Sequence, residues 1–381
     1  MTTVWQYDGW AALPPLDGDA ETDVCVVGLG GSGLTAVHEL IDRGVRAVGI
    51  DAGSVAGGAA GGNGGFLLAG LAWPHYQMVA TLGRDRAAAL HRLTLDEIDR
   101  IGATTPDAVR RTGSLRIEDT AEGLADCAGH AAALRADGFA VEEYDGVEGR
   151  GLVFPDDGVL QPLARCRALA TTAFGAVLHE GTPAVRIEQG LVTTPRGSIR
   201  CDAVLVCVDG GLDLVLPELA GVVRTVRLQM LATAPTDEVV VPRPVYLRDG
   251  YEYWQQLPDG RVAVGGFRDR GGAAEETHEV TTTAVVQDAI EGLLRERIGV
   301  QAPVTARWAA SVGYTRTGLP YVGEARPGVF AAGGYCGTGN VVGALCARAL
   351  VALALGHDAP ALAFAEVSPA APDPPSPPRR P

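Results

Sequence analysis

The chain has 381 residues, 47% of them hydrophobic, and a formal net charge of −15, so it can bury a sizeable core spread over two intertwined domains. That charge, with no local basic patch, argues against nucleic acid or an anionic lipid surface as partner. No lysine occurs anywhere, which excludes a Schiff-base lysine or a catalytic ammonium.

The seven cysteines, Cys25, Cys127, Cys166, Cys201, Cys207, Cys336 and Cys346, are odd in number and lack CxxC or Cys/His metal spacing. They read as reduced thiols, and no metal site is expected. Residues 1–23 contain no basic segment ahead of an apolar run, and no stretch approaches a membrane span of about twenty residues. A cytoplasmic protein without membrane insertion is expected.

In chain order, Val24-Cys25-Val26-Val27 breaks into Gly28-Leu29-Gly30-Gly31-Ser32-Gly33, followed by a helical pattern and a second strand closing at Asp51. This is the Gly-x-Gly-x-x-Gly fingerprint of a dinucleotide-binding βαβ unit. Gly28 permits the tight turn, Gly30 admits the pyrophosphate to the backbone, and Gly33 lets the helix pack close to the strand. Asp51 would accept from ribose hydroxyls. Residues 53–65 are too rich in glycine for a helix or central strand, and read as a loop hugging the cofactor and ending at Phe66.

Apolar spacing predicts helices over 84–101, 121–136 and 162–176, with a short strand at 113–117. Strands are predicted at 176–178, 184–187, 190–194 and 201–208, the last apolar enough to be parallel and buried, stopping at Asp209-Gly210-Gly211. Residues 222–267 are strand-rich (222–233, 245–248, 251–257, 261–267), with Pro258-Asp259-Gly260 as a hairpin turn. A helix over 280–298 and a buried strand at 329–332 follow. A second glycine break, Gly333-Gly334-Tyr335-Cys336-Gly337-Thr338-Gly339-Asn340, then leads into a helix over 341–355. The two breaks would let two helix N-termini address one extended cofactor. The proline-rich tail, 367–381, is predicted to be disordered.

Taken in this order, the segments resemble the FAD-dependent amine and amino acid oxidoreductases of the D-amino acid oxidase type, which include glycine, sarcosine and gamma-glutamylputrescine oxidases. The resemblance covers nearly the whole chain. Val4-Trp5, Leu13-Pro14-Pro15-Leu16-Asp17-Gly18-Asp19 and the 58–65 loop look most like the gamma-glutamylputrescine oxidase branch. Gly158 with Pro162, Gln229-Met230-Leu231-Ala232-Thr233, Gly265-Gly266 and Gly318-Leu319-Pro320-Tyr321-Val322-Gly323 are similar too.

The resemblance implies an α/β fold with an α+β substrate part. A doubly wound Rossmann-type FAD-binding domain would be discontinuous in sequence (1–85, 150–215 and 305–366), beside an antiparallel-sheet substrate domain (86–149 and 216–304). FAD would be held by Gly28, Gly30, Gly31, Ser32, Gly33, Asp51, Ala52, Gly58, Asn63, Gly64, Gly65, Phe66, Val185, Gly210, Gly334, Tyr335, Gly337, Thr338 and Gly339. Val185 would bond the adenine through its backbone, and 334–339 would lie near the flavin pyrimidine. The departures bear on mechanism. Ala60 and Gly62 replace a serine and an arginine of the loop pattern. The cysteine that bonds flavin covalently in one branch falls near Val312, so non-covalent FAD is expected. Lysines tied to oxygen activation and to the substrate carboxylate fall near Ala263 and Val341.

The implied reaction is oxidation of a small amine or amino acid by hydride transfer from the C–H next to nitrogen, giving an imine that hydrolyses. Arg316, Tyr253, Arg248 and Tyr335 are the candidate catalytic residues, and alternation puts Tyr251, Tyr253 and Gln255 on one strand face. Tyrosines at strand spacing also serve packing, and isolated arginines also serve solvation. The electron acceptor is oxygen or another species, and the oligomeric state stays open. Two alternatives stand beside this reading: a biosynthetic dehydrogenase passing electrons to an acceptor other than oxygen, and a flavin-carrying subunit of a hetero-oligomer.

Overall fold

In the computed structural model, residues 3–358 are described, so the proline-rich tail lies outside the described residues. Six strands form one sheet in the order 176–179, 47–50, 24–27, 203–206, 329–333 and 321–326. Neighbours are parallel except the last pair. Val24 and Val26 pack towards helices Gly31–Asp42 and Val342–Ala354, through Leu34, Val37 and Leu350. Cys25 and Val27 face the other way, onto Ile187, Val192 and Ile199 of a small four-stranded sheet. Burial on both faces is why these strands read as unbroken apolar runs.

A second, eight-stranded sheet has the order 304–314, 224–233, 262–266, 252–256, 245–247, 114–118, 149–154 and 142–146. It is antiparallel except where 245–247 runs parallel to 114–118. Residues 150–154 and 305–314, grouped by sequence with the FAD-binding part, hydrogen-bond into this second sheet.

Asp209 joins the two sheets. Its Oδ1 accepts from the N–H groups of Gly334 (2.9 Å) and Tyr335 (3.3 Å), and its Oδ2 accepts from Gly313 (2.9 Å). The loop after strand Ala203–Val206 is thereby tied to the end of Val329–Gly333 and to the long strand Val304–Tyr314.

Element limits depart from the sequence reading where side chains compete with the helix. Helix Pro162–Thr171 stops early, because Thr171 and Thr172 donate back to the carbonyls of Arg167 and Ala168. The helix expected from residue 280 starts at Ala284. The β-branched Thr281-Thr282-Thr283 run resists helix, and Gln229 Oε1 accepts from the Thr283 N–H at 2.9 Å. Within the glycine-rich loop, Ala59–Gly62 forms a single helical turn.

Two histidines, His91 on helix Arg84–Thr104 and His130 on helix Ala121–Ala136, pack against phenylalanine rings. His91 lies 4.2 Å from Phe139, ring centre to ring centre, and His130 lies 5.4 Å from Phe154. Burial holds each imidazole neutral down to about pH 3. The unfolded chain binds those protons near pH 6.5, so stability falls as the pH drops through 6.5. Asp157, pushed up to about 7 by burial, opposes this, since its proton favours the folded state between about 4 and 7. His91→Phe isolates one contribution. Its unfolding free energy should fall less than that of wild type between pH 7 and pH 5, by about 2 kcal/mol. Urea titrations at the two pH values measure this, and equal losses would show that His91 is not held neutral.

Candidate functional site

The turns that follow strands Val24–Val27, Ala203–Val206 and Val329–Gly333 open into a cavity of about 1340 Å³. This is where an open α/β sheet binds its ligands. The opposite wall comes from the second sheet, through Leu228, Met230, Tyr246, Tyr253, Ala310, Val312 and Tyr314.

Close backbone approach shapes the first wall. A Cβ on Gly33 would stand 1.8 Å from the Gly28 carbonyl oxygen, and one on Gly28 (φ +98°) would stand 2.7 Å from the Cys207 oxygen. A side chain at Gly33 would push the helix Gly31–Asp42 off its strand, and one at Gly28 would press on Cys207 and Val208 at the end of the neighbouring strand. The Tyr335 hydroxyl, buried beside Ser32 at the start of that helix, lacks a hydrogen bond of normal geometry among the described residues. Asp51 lines the cavity while accepting from Leu29 and Gly53 N–H, both at 2.8 Å. Burial raises its pKa, and each carboxylate oxygen keeps a second lone pair for a hydroxyl donor.

The glycine loop and the late glycine break are locked together. The amides of Asn63 and Asn340 bond reciprocally, at 3.2 and 3.0 Å, and Asn340 also donates to the Phe66 carbonyl at 2.8 Å. Among the described residues, six non-glycine residues have positive φ: Ala56, Asp209, Arg248, Asp249, Phe267 and Cys336. Five of them line the cavity and the sixth precedes Arg268, which also does, a concentration of backbone strain typical of functional sites.

Most residues singled out from the sequence meet here: Gly28, Gly30, Gly31, Ser32, Asp51, Gly58, Asn63, Gly64, Phe66, Tyr253, Arg248, Tyr335, Gly337, Thr338 and Gly339. Gly33, Gly65, Gly210 and Gly334 are outside the lining, packed against backbone or side chains behind it; a Cβ on Gly210, for instance, would stand 2.9 Å from the Val312 carbonyl carbon. Ala52 is exposed. Val185 is exposed too, and its N–H already donates to the Thr193 carbonyl at 2.8 Å, so that donor is not open to an adenine. Thr315 and Gly318 line the cavity, but Arg316 between them is exposed and does not.

The charges in the cavity are unequally matched. Arg116 pairs with Glu118 (3.0 Å), Asp126 (2.7 Å) and Asp249 (2.7 Å). Arg248 pairs with Glu252 and with Asp269 (3.1 Å). Arg268 instead lies between two rings, 4.4 Å from the centre of Tyr251 and 4.7 Å from that of Tyr314, and it makes no ion pair with a described residue. Burial pushes the Tyr314 phenol up to about 12 and raises that of Tyr253 further, so both stay protonated as donors. Arg268 and Asp209 escaped the sequence reading. An arginine two residues past a Gly-Gly pair looks solvated, and an acid before glycines looks like a turn residue.

Comparison with known proteins decides the cofactor. A family model described as FAD dependent oxidoreductase matches residues 23–353. The chain belongs to that family. It is 27% identical over 381 residues to a probable oxidoreductase OrdL of Rhizobium meliloti (strain 1021), covering 90% of this chain and 85% of that one. It is similar in fold to glycine oxidase from Geobacillus kaustophilus, with a TM-score of 0.72, 19% identity, and coverage of 89% of this chain and 96% of that one. The L-amino acid deaminase from Proteus vulgaris gives a TM-score of 0.73 at 16% identity, with 94% and 99% covered.

The residues present fit FAD. The glycine turn and the N–H groups at the start of helix Gly31–Asp42 suit the pyrophosphate, Asp51 suits ribose, and residues 337–340 with the second sheet suit the ring system. Cys336 is the thiol nearest that end. It receives a hydrogen bond from the Thr315 N–H (3.4 Å), donates to the Gly334 carbonyl (3.3 Å), and burial raises its pKa, so it is a thiol rather than a thiolate nucleophile. Purified protein should be yellow, and acid precipitation should leave free FAD in the supernatant. Flavin retained in the pellet would show a covalent bond.

Proposed function

We propose that this chain oxidises the carbon–nitrogen single bond of a small amino acid to an imine, which water hydrolyses. The observation that carries this reading is Arg268. A guanidinium fixed between the faces of Tyr251 and Tyr314, facing the cavity and free of a carboxylate partner among the described residues, is suited to bidentate capture of a substrate carboxylate. Its preorganisation between rings lowers the ordering cost of that contact.

FAD, when bound, supplies the two-electron sink that takes the hydride from the carbon bearing nitrogen. The protein's part is to place that carbon. Arg268 holds the carboxylate, and Tyr253, ring edge to Phe66 at 5.8 Å between centres, closes the face beside it. With Arg116 and Arg248 paired and Arg165 at the glycine turn, Arg268 is the cation beside the second sheet that selects for an acid. Amino acids as the natural substrates agree with glycine oxidase and L-amino acid deaminase sharing the fold.

The test is anaerobic mixing of the holoprotein with amino acids and with the matching amines that lack the carboxyl group. At least one amino acid should bleach the flavin absorbance; a flavin that no amine or amino acid bleaches would overturn the reading. Readmitting air then shows whether oxygen or another species is the acceptor. Arg268→Met should weaken amino acid binding about 10- to 100-fold, the value of a charge-assisted bond, and leave the matching amines within about threefold. Equal losses for both would show that Arg268 only packs.

A further inference from the structure

We infer that Arg165 supplies the positive charge that neutralises the FAD pyrophosphate, acting with the N-terminus of helix Gly31–Asp42 as a built anion site. The inference rests on the family's cofactor and is independent of the substrate.

Three arginines among the described residues are buried to a relative exposure of 3–4%: Arg116, Arg165 and Arg227. Arg116 is met by carboxylates, and Arg227 pairs with Glu275 at 2.8 Å. Arg165 has no such partner. One terminal nitrogen reaches the Thr35 hydroxyl only at 3.5 Å, and its Nε has no hydrogen bond. A guanidinium does not lose its proton in a protein, so this is an uncompensated charge out of water, which folded proteins avoid unless an anion completes the site.

Its position names the anion. Arg165 lines the FAD cavity, and its Nη1 stands 3.1 Å from where a Cβ on Gly31 would be. Gly31 is the first residue of the helix, where unbonded N–H groups already carry partial positive charge. Two positive elements therefore converge on one point with nothing negative between them, in a chain of net charge −15. The dinucleotide fingerprint requires glycine at 28, 30 and 33 but not at 31. A side chain at that fourth glycine would crowd the guanidinium tip and shift it by a few tenths of an ångström. The Thr35 hydroxyl donates to the Gly31 carbonyl at 2.7 Å and accepts from Arg165 only at 3.5 Å, which leaves most of the fork open.

The probes are FAD, ADP and adenosine, titrated calorimetrically into apoprotein of wild type, Arg165→Met and Arg165→Lys. Arg165→Met should weaken FAD and ADP about 10- to 100-fold, leave adenosine within about threefold, and flatten the salt dependence of ADP binding. Arg165→Lys, which keeps the charge without the fork, should fall between wild type and Arg165→Met. Apoprotein stability provides a second reading. Arg165→Met should melt at or above the wild-type temperature without FAD, because it removes an unmatched buried charge, while its stabilisation by FAD shrinks. The inference is overturned if Arg165→Met binds FAD and ADP like wild type, if all three probes weaken equally, or if the apoprotein is destabilised while the gain from FAD is unchanged. Should Arg165→Met not fold, that failure counts as the destabilised outcome, and an Arg165→Lys protein with unweakened ADP binding counts against the fork.

Discussion

The Asp209 carboxylate is the joint on which the rest of the molecule hangs. It accepts three backbone N–H groups from two separate segments, and those segments belong to different sheets. Without a shared acceptor, the Gly334 and Tyr335 N–H groups would end a buried strand unpaired, which costs free energy comparable to two lost hydrogen bonds. Burial raises the Asp209 pKa, while each donated N–H pulls it back down. The donated N–H groups offset part of what burial costs a charge at this position. Because the cavity lies between the two sheets, these three bonds help to hold its walls together, with Trp308 bonding the Gly62 carbonyl at 2.7 Å across the same gap.

The charge distribution follows a related logic. Acidic overall, the chain concentrates its few deeply buried cations where acids hold them, at Arg116 and Arg227. Arg165, as deeply buried, and the half-buried Arg268 have no acid partner among the described residues, and both face the cavity. Guanidinium suits these roles better than ammonium, since it stacks on rings and presents a planar fork. A chain without lysine can therefore still handle two kinds of anion in one site.

Much of this was legible in the amino-acid order. The βαβ unit declared itself because strand period, glycine spacing and the closing acid at Asp51 coincide within thirty residues. Helix Ala121–Ala136 was read to the residue, with Thr120 capping it through the Gly123 N–H. What stayed hidden depends on contacts between distant segments. Arg165 looks like any polar residue on a short helix, and only the fold shows that it meets Gly31. Arg316 drew attention through its neighbours in sequence, yet the bend after strand Val304–Tyr314 brings Thr315 and Gly318 to the cavity and leaves Arg316 exposed outside its lining. The Val185 N–H is spent on a hairpin partner that periodicity cannot reveal.

The reciprocal amide pair between Asn63 and Asn340 spans 277 positions of sequence. A ribosome delivers the N-terminal partner long before its mate, at roughly 5–20 residues per second. The βαβ unit can emerge and begin to fold, and Trp5 and Trp308 can already bond the loop at the Asn63 and Gly62 carbonyls, yet the clasp from Asn340 is missing until the last glycine break has left the exit tunnel. A chain truncated before residue 340 would lose that clasp together with helix Val342–Ala354, and would expose the apolar sheet face around Val26, Leu205 and Phe330 that this helix covers.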